Sequence, residues 1–112
     1  MHEYSIIQSL VDSVSSAVGT RVAAVHRIDV AIGELAGVDV TLLTTAFEIF
    51  RVGTLCERAT LTIARVPARW ECERCGQAVA RGGFLSCSDC GAPARLAAGD
   101  EIILQRIELE VA

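Results

Sequence analysis

Two short steps recur in the second half of the chain: Cys72-Glu73-Arg74-Cys75-Gly76 and Cys87-Ser88-Asp89-Cys90-Gly91, with eleven residues between Cys75 and Cys87. A C-x-x-C turn brings two sulfurs close enough to share one ion, and two such turns close a tetrahedral site of soft ligands around zinc. The glycine after each second cysteine suits a backbone that takes positive φ there, so that amides can point at the thiolates. Four cysteines leave no open coordination position, so zinc bound by Cys72, Cys75, Cys87 and Cys90 is structural and not catalytic. The surrounding stretch, Pro67 to Gly99, is poor in large aliphatic residues. It cannot build a core alone, and the metal would supply its folding energy. Two disulfides or a redox dithiol form the competing reading. Against it, the cysteines lack the strand–helix context of a thioredoxin-like motif, and a chain without a secretion signal is expected in a reducing compartment.

The opening Met1-His2-Glu3-Tyr4 is polar and acidic, unlike a signal peptide. No apolar run approaches the roughly 18–20 residues that cross a bilayer. The expectation is a cytoplasmic chain of 112 residues with one core and a smaller insert. Its net charge of −4 argues against a nucleic-acid groove, which needs a surplus of positive side chains. Within residues 67–98, Arg69, Arg74, Arg81 and Arg95 stand against Glu71, Glu73 and Asp89, with Trp70 and Phe84 as the only aromatics. That is little charge and little stacking surface. A zinc-ribbon module that binds nucleic acid or a transcription partner therefore remains the alternative reading. Enzyme signatures are missing. There is no lysine for a Schiff base, no Gly-x-Ser-x-Gly elbow and no phosphate-binding loop.

Hydrophobic periodicity outlines the rest. Ile7, Leu10, Val11, Val14, Ala17 and Val18 recur at helical spacing, which predicts a helix over residues 3–18 ended by Gly19. From Arg21 to Ile32 the period falls to two, with Val22, Ala24, His26, Ile28, Val30 and Ile32 on one face and Arg27 and Asp29 on the other. His26 thereby falls on an apolar face, where a histidine is more often partly buried and satisfied than a ligand. After a loop with two glycines, Asp39 caps a second helix to about Arg51, with a stripe of Leu42, Leu43, Ala46, Phe47 and Phe50. Glu34 in that loop could support a nearby metal site from behind its ligands, but reads rather as solvated, and Cys56 as a small apolar filler. Residues 59–66 alternate again, as do 101–111, where Ile103, Ile107, Leu109 and Val111 should face inward. The fold expected is α+β: a small three-stranded sheet with two helices on one face, plus an inserted zinc-ribbon-like module. Residues 1–66 and 100–112 would form one domain, and 67–99 the insert.

The start of the chain offers a second metal site. The amine of Met1, the backbone nitrogen of His2 and its imidazole can chelate one ion in adjoining rings, with the Glu3 carboxylate next door. Deprotonating an amide needs a strongly binding late metal such as Ni²⁺ or Cu²⁺. Alone, this signal is weak, since a terminal histidine is commonly just solvated. Taken together, Met1-His2-Glu3-Tyr4-Ser5, Ile32-Gly33-Glu34-Leu35-Ala36-Gly37-Val38, Gly53-Thr54 and the paired C-x-x-C-G resemble the HypA/HybF family of hydrogenase maturation proteins, in the family's order and along the whole chain. The resemblance implies a nickel metallochaperone, not an enzyme, that helps insert Ni(II) into the large subunit of nickel–iron hydrogenase with a partner GTPase. Self-association is left open. It implies His2 as the essential nickel ligand beside the Met1 amine, Glu3 at a position tied to nickel binding or docking, and Asp39 at an acidic position that completes the site in some members. The Asp39 role competes with its role as a helix cap. The resemblance also makes Cys72, Cys75, Cys87 and Cys90 the Zn(II) ligands. The module here has a short spacer and no histidine, which departs from the family pattern.

Overall fold

The computed structural model describes residues 3–18, 22–80 and 85–111. Met1, His2, Gly19, Arg81 and Phe84 lie outside the described residues, so the expectations placed on them are not addressed by it. Helix α1 spans Glu3–Val18, strand β1 Val22–Gly33, helix α2 Val40–Phe50 and strand β2 Thr60–Val66. Three short strands follow, β3 (Arg69–Cys72), β4 (Ala78–Val79) and β5 (Ala94–Ala98), and then β6 (Ile102–Val111).

The strands form two three-stranded sheets, ordered β2-β1-β6 and β4-β3-β5. In the first, β1 is central, parallel to β2 with Ile28 opposite Leu61, and antiparallel to β6 with Ile28 opposite Ile107. The β1–α2–β2 connection is what parallel pairing demands, because parallel neighbours need a crossover long enough to hold a helix. The molecule is elongated, with extents of 57 × 25 × 17 Å.

One core lies between the helices and the first sheet. Ile7, Val11 and Val14 of α1 meet Val25, Ile28, Val30 and Ile32 of β1 and Leu43, Ala46 and Phe47 of α2. Of the expected α1 stripe, Ile7, Val11 and Val14 are buried and Leu10 half-buried, while Ala17 is exposed; in α2, Leu43, Ala46 and Phe47 are buried, but Leu42, about 100° round the helix from Leu43, is exposed. Tyr4 and Phe50 add an edge-to-face contact between the helices, with centroids 5.6 Å apart. Cys56 is fully buried among these residues, and burial pushes its thiol up, as befits an inert filler. The other face of the sheet is charged: Arg27 donates to Asp29 at 2.7 Å, with Glu108 and Arg106 opposite on β6.

Two expectations about side-chain direction are corrected. Val25 pairs with Leu109 and Arg27 with Glu108, so His26 is an extra residue on β1. That bulge turns Val25 into the core and His26 out; its side chain is 55% exposed, with Nε2 3.4 Å from Glu110 Oε1. On β6, Leu104 pairs with Val30 and Arg106 with Asp29, which leaves Gln105 unpaired. The phase therefore changes along the strand. Leu104 and Ile107 pack on the core, while Ile103, Leu109 and Val111 are exposed. The sheet of the inserted module was not anticipated, because strands of two to five residues are too short to show a period.

Candidate metal centres

The two cysteine steps fold identically. In the first, Cys72 N–H donates to Gln77 O at 2.8 Å and Gly76 N–H returns to Cys72 O at 2.9 Å; in the second, Cys87 N–H donates to Ala92 O and Gly91 N–H to Cys87 O, both at 2.9 Å. Gly76 and Gly91 take φ of +77° and +72°, as the sequence led one to expect. Two further bonds complete the arrangement: Glu73 N–H to Pro93 O ties the first turn to the second, and Ala94 N–H to Leu85 O closes the base of the second.

This doubling brings four sulfurs to one point, all within 4.8 Å of one another. Cys72 and Cys90 are 3.3 Å apart and Cys75 and Cys87 3.7 Å. Tetrahedral zinc with bonds of about 2.3 Å sets its sulfurs roughly 3.8 Å apart, so the donors fit that ion in number, softness and spacing. The amides supply the charge balance. Those of Cys75 and Arg74 each point at Cys72 Sγ from 3.4 Å and pull its thiol down to about 6, with the Cys75 amide leading. The amides of Cys90 and Asp89 likewise lower Cys87. Cys72 and Cys87 are buried, whereas Cys75 and Cys90 face solvent. Among the described residues, no other group of three or more His, Cys, Asp or Glu side chains converges in this way.

At the other end of the chain, Glu3 and Asp39 come together. Glu3 opens α1 with only 4% of its surface exposed, and its Oε2 accepts from the Asp39 N–H at 3.1 Å. Asp39 Oδ1 in turn accepts from Leu42 N–H at 3.1 Å, with Asp39 in extended geometry as the N-cap of α2. The Glu3 carboxylate therefore joins the start of α1 to that of α2, and the Asp39 carboxylate caps α2. Replacing Asp39 by Ala should cost about 1 kcal/mol, while Asn should cost only a few tenths because its side-chain oxygen still caps. Urea midpoints of the two variants distinguish a cap from an electrostatic role, since an electrostatic role would make Asn as costly as Ala.

Glu34 is not simply solvated. Its Oε1 accepts from the Ala68 N–H at 2.9 Å, across a junction invisible to local sequence patterns. The nearest hint is the glycine beside it, which marks a close backbone approach.

These features define a class: a small α+β protein of two helices and a three-stranded sheet that carries a four-cysteine zinc module. No described helix is long and apolar enough to cross a membrane. A family model described as hydrogenase/urease nickel incorporation, metallochaperone, hypA matches residues 1–109. The hydrogenase maturation factor HypA of Geobacter metallireducens is 42% identical over 112 residues, covering 98% of this chain and all of its own. That of Wolinella succinogenes is 37% identical over 114 residues, covering 98% and 96%. The solution structure of the Ni metallochaperone HypA from Helicobacter pylori superposes with a TM-score of 0.70 at 28% identity over the full length of both chains. A second solution structure of a HypA protein gives 0.77 at 29% identity, covering 98% of this chain and 97% of its own. The chain belongs to the HypA family.

Proposed function

We propose that the chain is a nickel metallochaperone that binds Ni(II) at its start and delivers it during maturation of nickel–iron hydrogenase. The observation that carries this reading is the family match along residues 1–109, which takes in Met1-His2-Glu3 at one end and the four cysteines at the other. The nitrogen donors are the Met1 amine, the His2 amide and the His2 imidazole, with Glu3 and Asp39 as the adjoining carboxylates. The zinc cluster has no part in carrying the cargo, because its four thiolates already saturate one ion. A site of few ligands suits a carrier, since a fully enclosed one would release its metal slowly. Residues 1–66 and 100–112 form the nickel-handling unit, and 67–99 the zinc unit. The partners are a maturation GTPase, which supplies the nucleotide chemistry this chain lacks, and the hydrogenase large subunit, met in the cytoplasm.

The test is a Ni(II) titration of zinc-loaded protein with its native first residue, run beside His2→Ala. Wild type should take up a single nickel that His2→Ala loses, with zinc content unchanged in both. An extra residue placed before Met1 should also abolish binding, since it displaces the amine. Equal nickel binding by all three proteins overturns the reading and returns the zinc-ribbon adaptor as the leading alternative.

A further inference from the structure

Two stretches of chain join the first sheet to the cysteine module, one leaving β2 and one entering β6. Both run past the same three residues. Gly33 N–H donates to Glu101 O at 2.8 Å, Leu35 N–H to Gly99 O at 2.7 Å and Glu34 N–H to Val66 O at 2.8 Å. The Glu34 side chain then reaches beyond β2 to the Ala68 N–H at 2.9 Å. The two connectors also press on one another. Ala68 and Gly99 are both buried, and a Cβ at Gly99 would stand 2.6 Å from Ala68 Cα.

The bond to Ala68 differs from the other three. Those are backbone to backbone, and they secure Val66, Gly99 and Glu101, which border the first sheet. Ala68 is the last residue before β3, and its N–H has a side-chain acceptor. A buried N–H without an acceptor must turn toward water or stay unsatisfied. Pro67 before it has its φ fixed, so the freedom left to the connector lies in ψ of Pro67 and in the dihedrals of Ala68, beside the N–H that Glu34 holds. β3 is the central strand of the β4-β3-β5 sheet and ends on Cys72. Turning it turns that sheet and the four-sulfur site together.

We infer that Glu34 is a positioning residue that locks the cysteine module in one orientation to the helices. The inference concerns orientation alone and stands whether or not nickel binds at the chain's start. Residual dipolar couplings of weakly aligned, zinc-loaded, full-length protein test it. Amides of the helices and first sheet and amides of β3–β5 should fit one alignment tensor in wild type and in Glu34→Gln, whose amide oxygen still accepts from Ala68. They should need two tensors in Glu34→Ala and in Glu34→Asp, which is one methylene too short to reach. Zinc content and helix chemical shifts should stay unchanged in all four. A role confined to stability would lower the urea midpoint without separating the tensors. A single tensor in Glu34→Ala and Glu34→Asp, or two in wild type, overturns the inference; should the alanine variant fail to fold, the Asp and Gln pair decides it.

Discussion

Stripping zinc from the protein with a strong chelator should unfold β3, β4 and β5 while α1, α2 and the β2-β1-β6 sheet persist. Among the described residues, the buried cluster around the cysteines is Cys72, Cys87 and Ala92, with Val79 half-buried against it. Two of those three are metal ligands. Burying a whole aliphatic side chain stabilises by about 1.5–3 kcal/mol, whereas ordering a residue costs about 1.5 kcal/mol. A few half-buried side chains such as Val79, Trp70 and Leu96 cannot offset the ordering of three strands and two turns. Four thiolates on zinc can, at about 10–16 kcal/mol for a structural site. The helical core contains none of these ligands. Trp70 is the only tryptophan in the chain and sits half-buried in β3, opposite Val79 and Leu96. Its fluorescence should shift to the red on chelation and recover when zinc is restored. Amide resonances of residues 69–72 and 94–98 should collapse toward random-coil positions as those of the helices hold. Cys87→Ser should weaken zinc binding by more than the roughly 10–100-fold typical of outer-shell changes, because it removes a ligand itself. An unshifted Trp70 and dispersed module resonances after full zinc removal would show that the strands stand without the metal.

What the sequence reveals and what it conceals divide along a physical line. The cysteine steps, the α1 and α2 stripes, the Asp39 cap and the outline of the first sheet rest on spacings of a few residues and appear where those spacings place them, apart from Ala17 and Leu42 at the edges of their stripes, which are exposed. The direction of His26 and Ile103 does not follow from spacing. A strand's period holds only while its partner matches it residue for residue, and the bulges at His26 and Gln105 break that match. The Glu3–Asp39 and Glu34–Ala68 bonds join residues remote in sequence. Glutamates in such positions look solvated until the chain has folded. The candidate site was legible at its cysteines because metal chemistry fixes their number and spacing. Its carboxylates were legible only by family resemblance, and the structure shows what else they do, which is to join the two helix starts through Glu3 and to cap α2 through Asp39.

The junction that Glu34 guards should also be the least forgiving place in the chain for an added methyl group. Gly99 has φ of +108°, a region that side-chain-bearing residues rarely adopt, and a Cβ there would stand 2.6 Å from Ala68 Cα and 2.9 Å from Ala68 N. Both obstacles are backbone atoms. They cannot swing aside as a flexible side chain would, because Glu34 holds Ala68 and the Gly99 carbonyl is held by Leu35. Gly37 and Gly53 also have positive φ, yet a Cβ at either would meet nothing within 4 Å. Comparing the three separates conformational strain from collision. Gly37→Ala and Gly53→Ala should each cost about 1–2 kcal/mol, the ordinary penalty of a left-handed residue. Gly99→Ala should add an overpacking cost of about 1–3 kcal/mol to that strain, a total of roughly 2–5 kcal/mol and a large share of the stability of a domain this size. Gly33→Ala tests the collision alone, since its Cβ would overlap the Gly99 carbonyl without a positive φ of its own. Urea unfolding followed through helix signals should therefore rank Gly99→Ala well below Gly37→Ala in midpoint. Equal midpoints would mean that the connectors slide past one another freely, and in that case neither Gly99 nor Glu34 holds the module in place.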